Sequence, residues 1–110
     1  MPLRAKAEIL RKLHQGPRVL LLPNVWDVAS ARLIEEAGFP ALATSSAAIA
    51  NSLGYPDGEH IGRTNMLEVV GRIAEAVSVP VTADLEAGYA GTPQEMKDTA
   101  GELLESGAVG

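Results

Sequence analysis

The chain contains no cysteine, which excludes disulfides and thiolate metal sites within it. Aromatic residues are nearly absent: one tryptophan, one phenylalanine and two tyrosines among 110 residues. Any core must therefore be built from Leu, Val, Ile and Ala. No apolar run approaches membrane-spanning length, and no basic stripe is present. Nine Lys and Arg face fourteen Asp and Glu, for a net charge of −5. That balance counts against nucleic acid or an anionic membrane as a partner. The first residues interleave Arg4, Lys6, Glu8, Arg11 and Lys12 with apolar side chains, which is not the pattern of a signal peptide. A cytoplasmic protein fits these absences. Glycine-rich phosphate loops are missing too. Leu22-Pro23-Asn24-Val25-Trp26, at the end of the first apolar run, has no glycine, so neither a dinucleotide-binding turn nor a P-loop is present.

What is present is an alternation. Apolar residues make up 46% of the chain, enough for one small domain with a core. Leu3 to Leu13 has helical spacing, with Gly16 placed to stop it. Val19 to Leu22 reads as an apolar strand. Asp27 caps a helix through Ala37, and Ala41 to Ala43 is a second strand. From Thr44 to Arg63 runs a long stretch of small residues, Gly and Pro, expected as a loop of functional kind. Thr64-Asn65 starts a third helix, with Glu68 completing a capping pattern and Leu67, Val70, Ile73, Ala74 and Val77 as its buried stripe. A strand from Val79 to Ala83 follows. The helix from Thr92 to Ser106 opens with a capping box of Thr92 and Glu95, and Gly101 inside it marks a place for close packing. Gly107 to Gly110 looks like the entry to another strand. Strands alternating with helices imply a parallel sheet covered by helices. The lack of a glycine turn favours a (β/α)8 barrel over an open doubly wound sheet. In a barrel, catalytic groups sit at the C-terminal strand ends, where Asn24, Ser45, Ser46, Asp84 and Glu86 fall.

The segment VPVTADLEAGY, Val79 to Tyr89, concentrates the chemistry. An apolar run turns abruptly acidic, and residues two apart on a strand share a face. Asp84 and Glu86 would then repel each other at the end of a buried strand unless a divalent cation offset the cost. The alternative is a solvated Glu86 and an Asp84 that only bonds the backbone of the turn.

Three segments, PNVWDVASARLIEEAGFPAL, TSSAAIANSLGYPDGE and PVTADLEAGY, resemble the phosphoenolpyruvate mutase/isocitrate lyase superfamily, and the likeness runs from about Leu21 to Gly110. The resemblance implies a (β/α)8 TIM barrel, of which this chain would be the N-terminal portion, about three and a half βα units. It implies Mg2+ as cofactor and a small carboxylic acid, a 2-oxo acid or its enolate, as substrate. Lyases, acyl hydrolases and C–P mutases are the activities it allows. By position, Asp84 resembles the direct metal ligand, and Glu86 a second acid reaching the metal through water. Asp57, the candidate catalytic residue, resembles another acid near the metal, also acting through water. Ser45, Ser46 and Ala47 match the turn that holds the substrate's carboxylate and oxo oxygen. Glu86 stands where the family often has Asp, and Ala90 where it often has Gly. Further groups, an acid, an arginine and a mobile loop, would lie beyond Gly110. The chain is therefore expected to be an incomplete catalytic domain, residues 1–110, inactive alone and homo-oligomeric when full length. Two other readings stay open: a ketopantoate hydroxymethyltransferase-like barrel, and a non-catalytic partner domain.

Among the remaining residues, Trp26 is expected in the core and His14 on helix carbonyls. His60 and the helix face of Arg32, Glu35 and Glu36 are expected in solvent. Tyr89 is expected to pack beneath the acidic turn and cap a backbone group.

Overall fold

A computed structural model describes all 110 residues. Helix α1, Leu3–Gln15, is followed by β1, Asn24–Val25, and α2, Val28–Glu36. Strand β2, Leu42–Thr44, leads directly into a short helix, α3, Ser46–Ser52. Then come α4, Arg63–Ala76, β3, Val81–Thr82, and α5, Pro93–Ser106. The strands form one parallel sheet in the order β1-β2-β3. Beyond α5 the chain returns to the free edge of β3, where Val109 N–H donates to the Val81 carbonyl and Ala83 N–H to that of Gly110. The strand expected at the C-terminus thus begins to pair. The architecture is α/β and parallel, as the alternation of strands and helices requires.

Helix α2 starts where Asp27 accepts the Ser30 N–H at 2.7 Å while the Ser30 hydroxyl receives the Asp27 N–H. Two backbone donors at the helix start are thereby satisfied. Its buried Ala31 and the stripe of α4 enclose the sheet face: Val25, Leu42 and Val81 pack against Ile73, Ala74 and Val77. All five residues of the expected α4 stripe are buried. A second, smaller cluster of Ile49, Ile61 and Met66 lies beneath Leu85 and Tyr89. It couples α3 and α4 to the acidic turn. Gly107 ends α5 with φ +100°, a left-handed C-cap that a β-carbon disfavours.

Several local expectations are corrected. Val19 to Leu22 is not a strand. Pairing with β2 begins only where Ala43 N–H reaches the Pro23 carbonyl, and Val19 and Leu21 stand 88% and 67% exposed. An apolar run without a ladder partner does not form a strand. The region after Thr44 is not all loop, because Ser45 caps α3 by accepting the Ala48 N–H. The Asn65–Glu68 capping pattern is not formed: Gly62 holds the cap position, Asn65 bonds the Ile61 carbonyl and Glu68 pairs with Arg72. At α5 only half of the box is made. Thr92 accepts the Glu95 N–H, but Glu95 turns to the N–H of Gly91. Gly101 meets nothing where a β-carbon would stand, so it is not a close-packing glycine. Glu35 does not face solvent alone: its carboxylate accepts the N–H groups of Ser78 and Val79, tying α2 to the entry of β3. No helix is long and apolar enough to cross a membrane.

Candidate active site

The C-terminal ends of β2 and β3 meet at Asp84. Strand β3 stops at Thr82, and the Asp84 N–H donates to the Thr44 hydroxyl at 3.1 Å, so the end of β2 fixes the backbone of the acid. The Asp84 carboxylate spans two segments. Its Oδ2 accepts the Ser46 hydroxyl at 2.7 Å and the Ser46 N–H at 3.1 Å, at the start of α3. Its Oδ1 accepts the N–H of Glu86 at 3.1 Å. Partial burial pushes this carboxyl up, but the Ser46 hydroxyl and the N–H groups of Glu86 and Ser46 outweigh it and hold it below the ordinary carboxylate range. Asp84 is therefore a carboxylate at any physiological pH, with an acceptor position left on Oδ1.

Glu86 is not on the same strand face as Asp84. The ladder ends two residues before Asp84, and Glu86 adopts a left-handed backbone with φ +54°. Its carboxylate turns to the loop after α3, accepting the N–H groups of Gly58 at 3.1 Å and Glu59 at 3.0 Å. Desolvation and the neighbouring Asp57 carboxylate push Glu86 up, against the pull of those N–H groups. Asp57 is thus close enough to Glu86 for its charge to act on it.

Glu59, which the sequence did not single out, answers Glu86. Its carboxylate accepts the N–H groups of Ala87 at 2.9 Å and Tyr89 at 3.3 Å. Thr44 was overlooked as well. Nothing in either residue type announces its role, since a glutamate in a glycine-rich loop and a threonine at a strand end are ordinary. Tyr89 packs beneath the turn as expected, against the Ile49, Ile61 and Met66 cluster. It does not cap a backbone group, for its hydroxyl is buried without a hydrogen-bond partner. Burial and the charges of Glu86, Glu59 and Asp84 push that hydroxyl up to about 12. The loop is held from behind by Thr99, whose hydroxyl donates to the Gly88 carbonyl at 2.7 Å and accepts from Arg63.

Ser45 and Ser46 lie where the sequence places them, at the mouth of the sheet, with both hydroxyls engaged: Ser45 caps α3 and Ser46 holds Asp84. Ala47 follows in the first turn of α3, where N–H groups have no intrahelical acceptor. Trp26 is 41% exposed, against the expectation of a core residue, and shares a hollow with Leu53, Val69 and Ile73. His60 is exposed, and His14 bonds the Leu10 carbonyl at 2.8 Å, both as expected.

Four carboxylates, Asp57, Glu59, Asp84 and Glu86, thus gather at one end of the sheet, and none takes part in the chain's three ion pairs. No three acidic or imidazole groups converge closely enough to enclose an ion by themselves. A cation here would take one direct carboxylate, Asp84 being the rigid one, and fill the rest of its shell with water. That donor set suits Mg2+, which prefers oxygen and keeps several waters.

The family model described as phosphoenolpyruvate phosphomutase matches residues 10–110. A 2-methylisocitrate lyase of Aeropyrum pernix is 35% identical over 98% of this chain and 35% of its own length. An oxaloacetate decarboxylase of Bradyrhizobium sp. strain BTAi1 is 34% identical over all of this chain and 38% of its own. The crystal structure of a phosphoenolpyruvate phosphomutase from Streptomyces platensis subsp. rosaceus superposes with a TM-score of 0.87 at 33% identity, covering 94% of this chain and 36% of that one. The chain spans little more than a third of the length of these relatives.

Proposed function

Because the chain belongs to the phosphoenolpyruvate phosphomutase family, whose relatives here are lyases, decarboxylases and mutases, we propose that it carries the metal-binding part of a Mg2+-dependent active site. The reaction class is cleavage or rearrangement of a C–C or C–P bond in a 2-oxo acid or its enolate, and the fold a portion of a (β/α)8 barrel. The supporting observation is Asp84, pinned by Ser46 and Thr44 at the strand ends, among three further carboxylates, none of them in an ion pair.

Asp84 is the direct ligand, because three hydrogen bonds fix its short side chain and its carboxyl stays ionised. Glu86 and Asp57 hold metal-shell waters, a role that tolerates a longer or more mobile side chain. Mg2+, when bound, supplies Lewis-acid stabilisation of the charge that builds on an enolate oxygen. The Ala47 N–H donates to a substrate carboxylate or oxo oxygen, orienting it without adding a competing charge. Ser45 and Ser46 shape that turn and lock it to Asp84.

Titration calorimetry with Mg2+ tests the assignment. Asp84→Asn should remove most of the affinity, while Glu86→Asp, which keeps the charge but shortens the reach to the Gly58 and Glu59 N–H groups, should cost only about tenfold. If Asp84→Asn binds Mg2+ like the parent and Glu86→Asp does not, the direct ligand has been wrongly assigned.

A further inference from the structure

Two loops distant in sequence hold each other through their glutamates. Glu86 accepts the backbone N–H groups of Gly58 and Glu59, and Glu59 accepts those of Ala87 and Tyr89. These four bonds close a ring between the two loops. Glu59, Glu86 and Tyr89, the only non-glycine residues with positive φ in the chain, at +67°, +54° and +53°, all belong to the ring. A β-carbon disfavours that backbone region, so such residues persist where surrounding contacts over-determine them. The ring is also tied inward, because the Glu86 N–H donates to Asp84. Asp57 immediately precedes the Gly58 that Glu86 holds.

We propose that Glu59 is a positioning residue: by holding the Ala87 and Tyr89 N–H groups it sets where Glu86 and Asp57 stand around the cation. The inference rests on the Mg2+ reading above. Glu59 acts through hydrogen bonds and not through its charge. A single oxygen, Oε2, accepts both N–H groups, and the carbonyl oxygen of a glutamine could do the same.

The test compares Glu59→Ala with Glu59→Gln by amide hydrogen exchange and by Mg2+ calorimetry. In Glu59→Ala, the Gly58 amide should exchange about tenfold faster or more, although its own acceptor, Glu86, is untouched. Mg2+ affinity should fall by about tenfold. Glu59→Gln should stay near the parent in both. Should Glu59→Ala not fold, Glu59→Asp, too short to reach both N–H groups, serves in its place. The proposal is overturned if Gly58 exchange in Glu59→Ala stays at the parent rate. It is overturned equally if Glu59→Gln loses as much Mg2+ affinity as Glu59→Ala, which would make the charge the active element. A parent that binds no Mg2+ sinks the metal reading instead, and Gly58 exchange alone then decides whether Glu59 positions the opposite loop.

Discussion

Gly88 lies in the loop that carries Glu86 and Tyr89, and replacing it by alanine should strain that loop in two separable ways. Its φ is +80°, and a β-carbon there would stand 2.6 Å from Met96 Cε and 2.7 Å from Sδ. The left-handed backbone costs a residue with a β-carbon about 1–2 kcal/mol. Forcing the methionine aside costs about 1–3 kcal/mol, toward the low end because the side chain is flexible. A stiffer unfolded chain returns about 0.4–1 kcal/mol. The net expectation for Gly88→Ala is a loss of about 1–3 kcal/mol, a large share of a small domain's stability. Met96 is 46% exposed, so Met96→Ala alone should cost less than about 1 kcal/mol. The double variant should recover the steric part and keep the backbone part, leaving about 1 kcal/mol of loss and a favourable coupling of about 1–2 kcal/mol. Urea unfolding of the parent, both single variants and the double variant measures all four terms. A Gly88→Ala midpoint equal to the parent's would refute the reasoning. Complete recovery in the double variant would refute the backbone part alone.

Two other outcomes are expected. The Ser30 N–H, followed by the Ser30 hydroxyl, holds the Asp27 carboxyl below its ordinary 3.8. The ionised cap therefore contributes stability above that value and loses it as pH falls through the lower folded value. Asp27→Ala should cost about 1 kcal/mol at pH 7, and its gap to the parent should narrow in acid when unfolding is followed by circular dichroism; a constant gap would contradict the assignment. Val19 and Leu21, exposed beside an unpaired strand edge, should drive self-association. Light scattering should show a lower apparent mass for Val19→Lys/Leu21→Lys than for the parent, and equal masses would rule this surface out.

Composition and periodicity determined much of this protein. The aliphatic core, the α4 stripe, the Asp27 cap and the parallel alternation all follow from side-chain spacing, because a buried stripe and a capping oxygen act within a few residues of the backbone they serve. That Ser46 and Asp84 stand near strand ends was also legible, from the rule that strand ends carry the chemistry, but the bonds between them were not. Tertiary structure alone decided the rest. Whether Val19 to Leu22 becomes a strand depends on a neighbour to pair with, which its own residues cannot specify. The separation of Asp84 from Glu86 follows from a ladder that ends at Thr82 and a left-handed residue at Glu86, so the alternation of a strand no longer governs them. Glu59 was invisible in the sequence because its partners, the N–H groups of Ala87 and Tyr89, are backbone atoms that every residue has; only the folding of one loop against the other selects them.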